Sequence, residues 1–440
     1  MNDRRERLAQ RGAVLAGDTR TAPAPPHRWW LAWMAGVIGI YGALALWPDT
    51  MAFFGVGTGG RWFRDARTVL AGSDAARSGI DTTISNPLDT DGSFFDYPRT
   101  WYVTSRLGLT RDNATLLGLL IVGASLVAAG AVVRPRRAGE LLAALAIACS
   151  PPLWLGFNRG NADLLLFALL APVVALLFLR HAAGSALAIA FVAVATSLKF
   201  YPALAGVVFL QANRPRHAWL WRLAGVAGVF GLLALWLLPD ALRFRGQGWL
   251  PRGLFTFGAA SLPMAFGVPA ATAIRGGMLA GAAAIIAGLA WQPLRGWMAS
   301  AADAREKTLF ALGATLLAGC FFSVINFEYR FAFALLLLPL AWAASRRRDT
   351  PPPASSLLRG VVLLAAVLCW CDGIACALVN LLGAGLEPAA AIALRRNVGL
   401  AGASLAWIWV GMLVIFVADF VRGNVAHAMR AGELPPPVNS

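Results

Sequence analysis

Long apolar runs separated by short polar breaks make up most of the chain from Trp29 onward. A helix needs about 17 to 25 mostly apolar residues to cross a bilayer, and several of the runs approach or exceed that length. The pattern therefore predicts a bundle of about twelve transmembrane helices. The predicted spans are 29–48, 114–133, 140–157, 162–179, 182–198, 200–212, 218–238, 273–291, 308–325, 329–345, 357–382 and 397–421.

The hydrophilic segment 49–113 is much longer than the other breaks and carries many aspartates and arginines. Five of its apolar residues repeat at the spacing of one helix face: Trp62, Phe63, Ala66, Val69 and Leu70. They predict an amphipathic helix at the membrane surface just outside the first span. Asp65 would lie on this helix, where a carboxylate can act as a general base. Alternatively it belongs to a solvated face, as most loop charges do.

The composition supports an all-α polytopic membrane protein. Of the 440 residues, 58% are hydrophobic and 14% are charged, and the mean hydropathy is +0.64. Such a chain is too apolar for a soluble domain. Its net charge of +16 comes mostly from arginines spread along the loops. That distribution indicates membrane topology and contacts with lipid head groups, and it disfavours nucleic-acid binding.

The arginine-rich loops predict the orientation of the bundle. The basic groups at 134–137, 214–222 and 346–359 fall on the same side as the N-terminal segment, the side that the positive-inside rule assigns to the cytoplasm. Residues 1–28 are predicted to form a disordered cytoplasmic tail, and 422–440 a C-terminal tail on the same side. The transmembrane domain is then 29–421.

The breaks on the opposite, outer face combine carboxylates, amides, aromatic residues and single cations from distant parts of the chain. They lie at 158–163, 199–202 and 326–330. Mixed polar groups that converge in one concavity are typical of a binding site for a charged substrate.

Each break has a structural alternative. Asn161 or Asp163 can simply cap the next helix, although Arg159 and Asn158 beside a helix terminus favour an anion site. In the last break, Glu328 and Arg330 can neutralise each other. Otherwise Arg330 or Tyr329 turns towards the same anion as Lys199.

Lys199 ends an apolar run and is one of only two lysines in the chain. An ammonium near hydrocarbon is costly, so it indicates function by default. It is either a ligand for a phosphate or an anchor whose apolar stem reaches the membrane surface.

Other common site chemistries find little support. The sequence lacks a Walker A loop, a dinucleotide-binding glycine pattern, a nucleophile elbow and a His-Glu-x-x-His motif. Its five cysteines lie in apolar stretches without histidine or carboxylate at ligand spacing, so we expect no metal site.

Taken in chain order, these motifs resemble a family. An early aspartate in a long outer loop, an Asn/Gly-rich break, a Lys-x-Tyr-Pro break and a late Tyr-Arg break are similar to those of the polyprenol-phosphate-mannose-dependent mannosyltransferases of the GT-C superfamily. The resemblance extends over about 29–342. It implies a GT-C-like bundle in the bacterial inner membrane, with both termini cytoplasmic and the active site periplasmic.

The resemblance also implies roles for individual residues. Asp65 matches the first-loop aspartate that serves as catalytic base; Asp81 and Asp96 are rivals, because Asp65 lacks the usual Asp-aromatic-x-x-Tyr context. Lys199 and Tyr201 match the Lys-x-Tyr-Pro motif, and Tyr329 and Arg330 match the Tyr-Arg pair. The expected phosphate ligands are Lys199, Arg159 and Arg330. The expected substrate-binding residues are Asn158, Asn161, Asp163, Tyr201, Glu328 and Tyr329.

The implied activity is inverting hexosyl transfer, of mannose or a similar sugar, from a polyprenyl-phosphate donor to a hydroxyl of a lipid or glycan acceptor. A polyprenyl phosphate is already a good leaving group, so a base and cations suffice. No cofactor is required, although a divalent cation is compatible with the chemistry. A transporter or lipid-linked glycan flippase would use similar charges, and a non-catalytic membrane scaffold is a third alternative.

Overall fold

The computed structural model describes residues 27–430 apart from 58–61, 83–84, 91, 93–94, 180, 245–254, 324–325 and 384–386, and it is almost entirely helical. The α-helices of these residues are α1 (His27–Leu46), α2 (Pro48–Phe53), α3 (Arg64–Arg77), α4 (Val103–Arg106), α5 (Ala114–Val132), α6 (Ala138–Ala148), α7 (Pro151–Arg159), α8 (Ala162–Leu170), α9 (Val173–Leu177), α10 (Ala182–Leu198), α11 (Arg216–Phe244), α12 (Ser261–Ala265), α13 (Ala270–Ala290), α14 (Ala304–Ser323), α15 (Leu338–Arg346), α16 (Pro352–Leu382) and α17 (Pro388–Arg430). Most of the two predicted tails, 1–26 and 431–440, lies outside the described residues.

Five 3₁₀ helices and one small sheet complete these elements. The 3₁₀ helices are Arg99–Tyr102, Arg111–Asn113, Tyr201–Leu210, Trp297–Ala299 and Glu328–Leu336. Strand β1 (Thr256–Phe257) pairs antiparallel with β2 (Asn326–Phe327), so that Thr256 lies opposite Phe327. The pair fixes the chain just before Glu328.

Six helices among the described residues are long and apolar enough to cross a membrane: α1, α5 with the turn before it, α11, α13, α16 and α17. Helices α6 and α7 meet at a 52° bend and add a seventh if they form one span. Other predicted spans take a different form: 162–179 is divided into α8 and α9, and most of 200–212 is the 3₁₀ helix Tyr201–Leu210. Interrupted helices survive at membrane depth where protein surrounds them. The figure of about twelve spans stays a prediction.

The centre of the bundle is α14, which is buried along most of its length. It packs against α17 and against the two long 3₁₀ helices, Tyr201–Leu210 and Glu328–Leu336. A 3₁₀ helix rises about 2.0 Å per residue, compared with about 1.5 Å in an α-helix. These short apolar segments therefore reach further through the core than α-helices of the same length.

The outer segment covers one end of the bundle, and α3 forms where the apolar spacing predicts an amphipathic helix. Its Val69 packs with Phe95, Tyr97, Trp101 and Ala162 in a buried cluster. Trp101 Nε1 also donates a hydrogen bond of 3.1 Å to the carbonyl of Leu198, at the end of α10. The segment is thus fixed against the helix ends that carry the predicted site.

Candidate active site

Asp65, in the first turn of α3, is held by two residues from the turn between α7 and α8. Arg159 donates from Nε to Asp65 Oδ1 over 2.8 Å, and its Nη2 lies 2.7 Å from the same oxygen. Asn161 Nδ2 donates to Asp65 Oδ2. Asp65 is only 5% exposed, and charge-assisted bonds of this kind fix its orientation. We call Asp65, Arg159 and Asn161 the Asp65 cluster.

The local sequence explains how this turn forms. Gly160 ends α7 with a left-handed φ of 57°, and the Asn161 amide donates to the Gly156 carbonyl, as in a Schellman motif. The Asn161 side chain then accepts from the Asp163 amide at 2.8 Å and caps α8. Asn161 therefore caps α8 with its oxygen, as considered from the sequence, and also binds Asp65 with its nitrogen.

Phe63 sets the direction of α3 from the other side. It has a left-handed φ of 61°, an uncommon conformation for a bulky residue, and such outliers occur at functional sites. Its amide donates to the Asn158 carbonyl at 2.6 Å. This contact joins the start of α3 to the end of α7 and places Asp65 beside Arg159.

Asp163 is the centre of a second group. Its Oδ1 accepts from Lys199 Nζ at 2.5 Å and from the Tyr201 hydroxyl at 3.1 Å, and its Oδ2 accepts from Arg330 Nε at 3.0 Å. Asp163 is completely buried. The Arg330 guanidinium also lies over the Tyr201 ring, 4.5 Å from its centre. We call Asp163, Lys199, Tyr201 and Arg330 the Asp163 cluster.

Each of these residues lies where an element begins or ends. Asp163 is in the first turn of α8, and Lys199 follows the last residue of α10. The next 3₁₀ helix begins at Tyr201, with Pro202 as its second residue. Arg330 is in the first turn of the 3₁₀ helix that follows β2. The polar breaks of the sequence are therefore the points at which helices end against one another.

Aromatic residues surround the Lys199 ammonium. Its Nζ lies 5.6 Å from the centre of the Tyr97 ring and 6.0 Å from that of Tyr329. Tyr97 and Tyr329 are both buried, so cation–π attraction adds to the ion pair with Asp163. Tyr97 lies in the outer segment and was not predicted from the sequence as a site residue. The run of aromatic residues around it could have indicated it.

Asp96 interacts electrostatically with both clusters. Its side chain is accessible to solvent, yet protein surrounds it. This desolvation is the main effect that raises the pKa of its carboxyl above the ordinary value, and the Asp65 carboxylate adds to it. The charges of Lys199 and Arg159 oppose the rise in pKa. Asp96 is therefore an accessible carboxyl whose pKa is higher than that of an ordinary aspartate.

The two clusters together carry an excess of positive charge. Three cations, Arg159, Lys199 and Arg330, face two carboxylates, Asp65 and Asp163, so one positive charge remains while the nearby Asp96 carboxyl is protonated. Lys199 has three N–H donors, and one of them binds Asp163. Donors and net charge thus remain for one anion.

Three predicted residues lie apart from these contacts. Asp81 is exposed and lies four residues beyond the end of α3. That end is about 18 Å along the helix axis from Asp65. Asn158 is buried, and its Nδ2 has no hydrogen-bond partner among the described residues. Of the two alternatives for the last break, the pairing of Glu328 with Arg330 is not found, because Arg330 binds Asp163 instead.

Glu328 points to the other side of its segment. It is buried, and it lines a cavity of about 680 Å³ together with Asp372, Arg395 and Arg396. Its Oε2 has no hydrogen-bond partner among the described residues. Asp372 is a functional candidate that the sequence pattern did not single out, although a single carboxylate inside the apolar run 357–382 is a signal for one.

The described residues contain no group of three or more histidine, cysteine or acidic side chains placed to hold a metal ion. Base and anion-binding chemistry is what the two clusters can perform with their own side chains.

Comparison with known proteins gives a structural match. The chain is similar to the crystal structure of ArnT from Cupriavidus metallidurans bound to undecaprenyl phosphate, at 17% sequence identity and a TM-score of 0.32. The similarity covers 89% of this chain and 79% of that chain. No family model matches the chain, and the search of curated proteins found no match. This likeness is too loose to assign a family.

Proposed function

We propose that the protein is a membrane glycosyltransferase of the GT-C type. It moves a sugar, mannose or a similar hexose, from a polyprenyl-phosphate donor to a hydroxyl of a lipid or glycan acceptor on the periplasmic face, with inversion. The observation that carries the proposal is the Asp65 cluster, a fixed and buried carboxylate next to a second cluster that supplies cations. A transferase with this donor needs these two components and no nucleotide site.

Asp65 is the proposed base. Arg159 bonds twice to Oδ1, whereas among the described residues Oδ2 accepts only from Asn161. A carboxylate has about four lone-pair sites, so one on Oδ2 remains for the acceptor hydroxyl. Arg159 and Asn161 keep Asp65 oriented while it takes the proton. The oxygen of the acceptor then attacks the anomeric carbon as the bond to the phosphate breaks.

The Asp163 cluster is the proposed phosphate site. The donor is a phosphodiester with one negative charge, which matches the one positive charge left over in the two clusters. Lys199 would bind the phosphate with its remaining donors, and Arg330 would support it while Asp163 keeps both cations in place. As the sugar leaves, a second negative charge develops on the phosphate, so these cations stabilise the transition state more than the ground state.

The cavity beside Glu328 is the proposed location of an apolar carrier chain. Most of its lining is apolar, including Phe257, Val268 and Leu400, and Arg395 and Arg396 lie at its edge. Glu328 and Arg330 lie two residues apart on opposite sides of one segment. In the proposed complex, the head group of a lipid in this cavity passes this segment to reach the Asp163 cluster.

The test is sugar transfer by the purified full-length chain in a lipid environment. A panel of radiolabelled polyprenyl-phosphate sugars is offered with membrane lipids and glycans as acceptors. We expect labelled product from at least one donor and none from the matching nucleotide sugars. No transfer from any donor, in a preparation that unfolds cooperatively, would contradict the proposal.

A further inference from the structure

A second large cavity extends along α5 to the end of the bundle opposite the Asp65 cluster. It has a volume of about 720 Å³ and is formed by α5, α8, α9, α14 and α15. Gly118, near the start of α5, packs beside Phe63 and so marks the end with the Asp65 cluster. Arg134, just beyond the end of α5, lines the cavity. Between Gly118 and Val132, its last residue, α5 rises about 21 Å along its axis.

The mouth of this cavity is strongly basic. Arg134, Arg136, Arg305 and Arg346 line it, and among the described residues no carboxylate lies within ion-pair distance of the first three. Arg346 pairs with Glu140 at 2.6 Å, and Glu306 is the acidic residue of the lining. Four arginines against two glutamates leave two positive charges.

The walls below these arginines are apolar and open. Leu165, Leu169, Val174 and Trp342 line them. On α5 the lining includes three alanines and Val127, which is 71% exposed. Small side chains on a helix that is apolar enough to cross a membrane leave a groove into which an acyl chain fits.

We propose that this cavity binds an anionic phospholipid, with the phosphate of the head group between the arginines and an acyl chain along α5. Basic pockets between transmembrane helices bind such head groups, and each arginine near the membrane surface contributes substantially to the affinity. Free phosphate could bind only the arginines at the mouth of the cavity, because it has no apolar part to pack against the walls. The inference does not depend on the proposed transferase activity.

The test is competitive lipid retention. The full-length chain is delipidated in detergent and supplied with equal amounts of phosphatidylglycerol and phosphatidylcholine, and native mass spectrometry counts the lipids retained. We expect the wild-type protein to prefer phosphatidylglycerol by at least about fivefold, with each arginine worth about fivefold. The Arg134→Gln/Arg305→Gln variant should lose the preference, and inorganic phosphate should not displace the lipid.

Two further variants separate charge from packing. The Arg134→Lys/Arg305→Lys variant keeps both charges and should keep the preference. Arg359→Gln removes an exposed arginine of α16 that does not line the cavity, and it should behave as wild type. If the double glutamine variant does not fold, Arg305→Gln alone should still reduce the preference about fivefold. Equal retention of the two lipids by the wild-type protein, or an undiminished preference in either glutamine variant, would overturn the proposal.

Discussion

At the scale of single residues, Asp163 holds more side chains of the candidate site in place than Asp65, Asp81 or Asp96, the three residues predicted from the sequence to be catalytic. It accepts bonds from Lys199, Tyr201 and Arg330 while completely buried. A carboxylate without compensation would be very costly at such a position. Here two cations and a hydroxyl compensate it, and in return it fixes two cations that would otherwise repel each other.

Replacing Asp163 with asparagine should therefore destabilise the protein strongly. The change leaves Lys199 and Arg330 partly buried without their counter-ion, and breaking a buried ion pair from one side costs about 3–5 kcal/mol. Thermal unfolding in detergent should show a clearly lower midpoint. Asp112→Asn, at an exposed residue of the same outer region, is the control. Equal midpoints for the two variants would show that Asp163 does not organise the cluster.

Asp96 predicts a dependence of stability on pH. Its raised pKa means that the folded protein favours the protonated carboxyl. Its contribution to stability is therefore present below the ordinary value of about 3.9 and is lost as the pH rises through the raised value. Asp96→Asn removes this loss. The unfolding midpoint of the variant minus that of the wild-type protein should therefore increase as the pH rises from about 4 to 7. A difference that stays constant across this range would contradict the assignment.

The identities of the site residues could be predicted from the sequence far better than their pairing. Short polar breaks between apolar runs marked Arg159, Lys199 and Arg330, because ionisable groups are rare at the ends of spans. Asp65 was marked by the predicted amphipathic helix and by the family resemblance. The partners depend on which helix ends meet in space. Consequently the sequence left open whether Arg330 pairs with Glu328, its neighbour along the chain, and in the structure it pairs with Asp163.

At the scale of elements, the turn between α7 and α8 is the most constrained connection of the site. Gly160 has a left-handed backbone, and a Cβ on it would lie 3.0 Å from Phe63 Cδ1 and 3.1 Å from Gly118 Cα. The second contact is with backbone and cannot move away easily. The turn therefore requires glycine both for its conformation and for the close approach of α3 and α5.

Gly160→Ala should thus be more harmful than an alanine placed at another left-handed glycine. Gly79 has φ of 71°, and a Cβ added to it would meet nothing within 4 Å. Gly79→Ala therefore measures the backbone cost alone, about 1–2 kcal/mol. The unfolding midpoint of Gly160→Ala should fall further than that of Gly79→Ala. Equal losses would show that the packing against Phe63 and Gly118 is not tight.

The long helices could be predicted from apolar runs, but the interruptions within such runs could not. The amphipathic helix at 62–70 and the long helices α1, α5, α11, α13, α16 and α17 correspond to predicted elements. The long 3₁₀ helices and the division of 162–179 into α8 and α9 have no counterpart in hydropathy. Their form depends on packing around α14, which a window along the chain does not contain.

At the scale of the whole molecule, the charges divide between two ends. The Asp65 and Asp163 clusters lie at one end, where carboxylates and cations are paired and one positive charge remains. At the other end lies the cavity lined by Arg134, Arg136, Arg305 and Arg346. This asymmetry agrees with the orientation that the basic loops predict, in which the arginine-rich end faces the cytoplasm and its anionic lipids.

The central claim is that Asp65 acts as the base of a polyprenyl-phosphate-dependent sugar transfer, and one comparison tests it most directly. Initial rates of sugar transfer and affinities for the donor are measured for the wild-type protein, Asp65→Asn and the exposed-site control Asp112→Asn. We predict that Asp65→Asn slows transfer by about 10²–10⁴-fold, while donor binding stays close to that of the control. Because the variant also loses the ion pair with Arg159, its unfolding midpoint should fall, and the rates are compared at a temperature at which both variants are folded. Transfer by Asp65→Asn at the rate of the control would contradict the account.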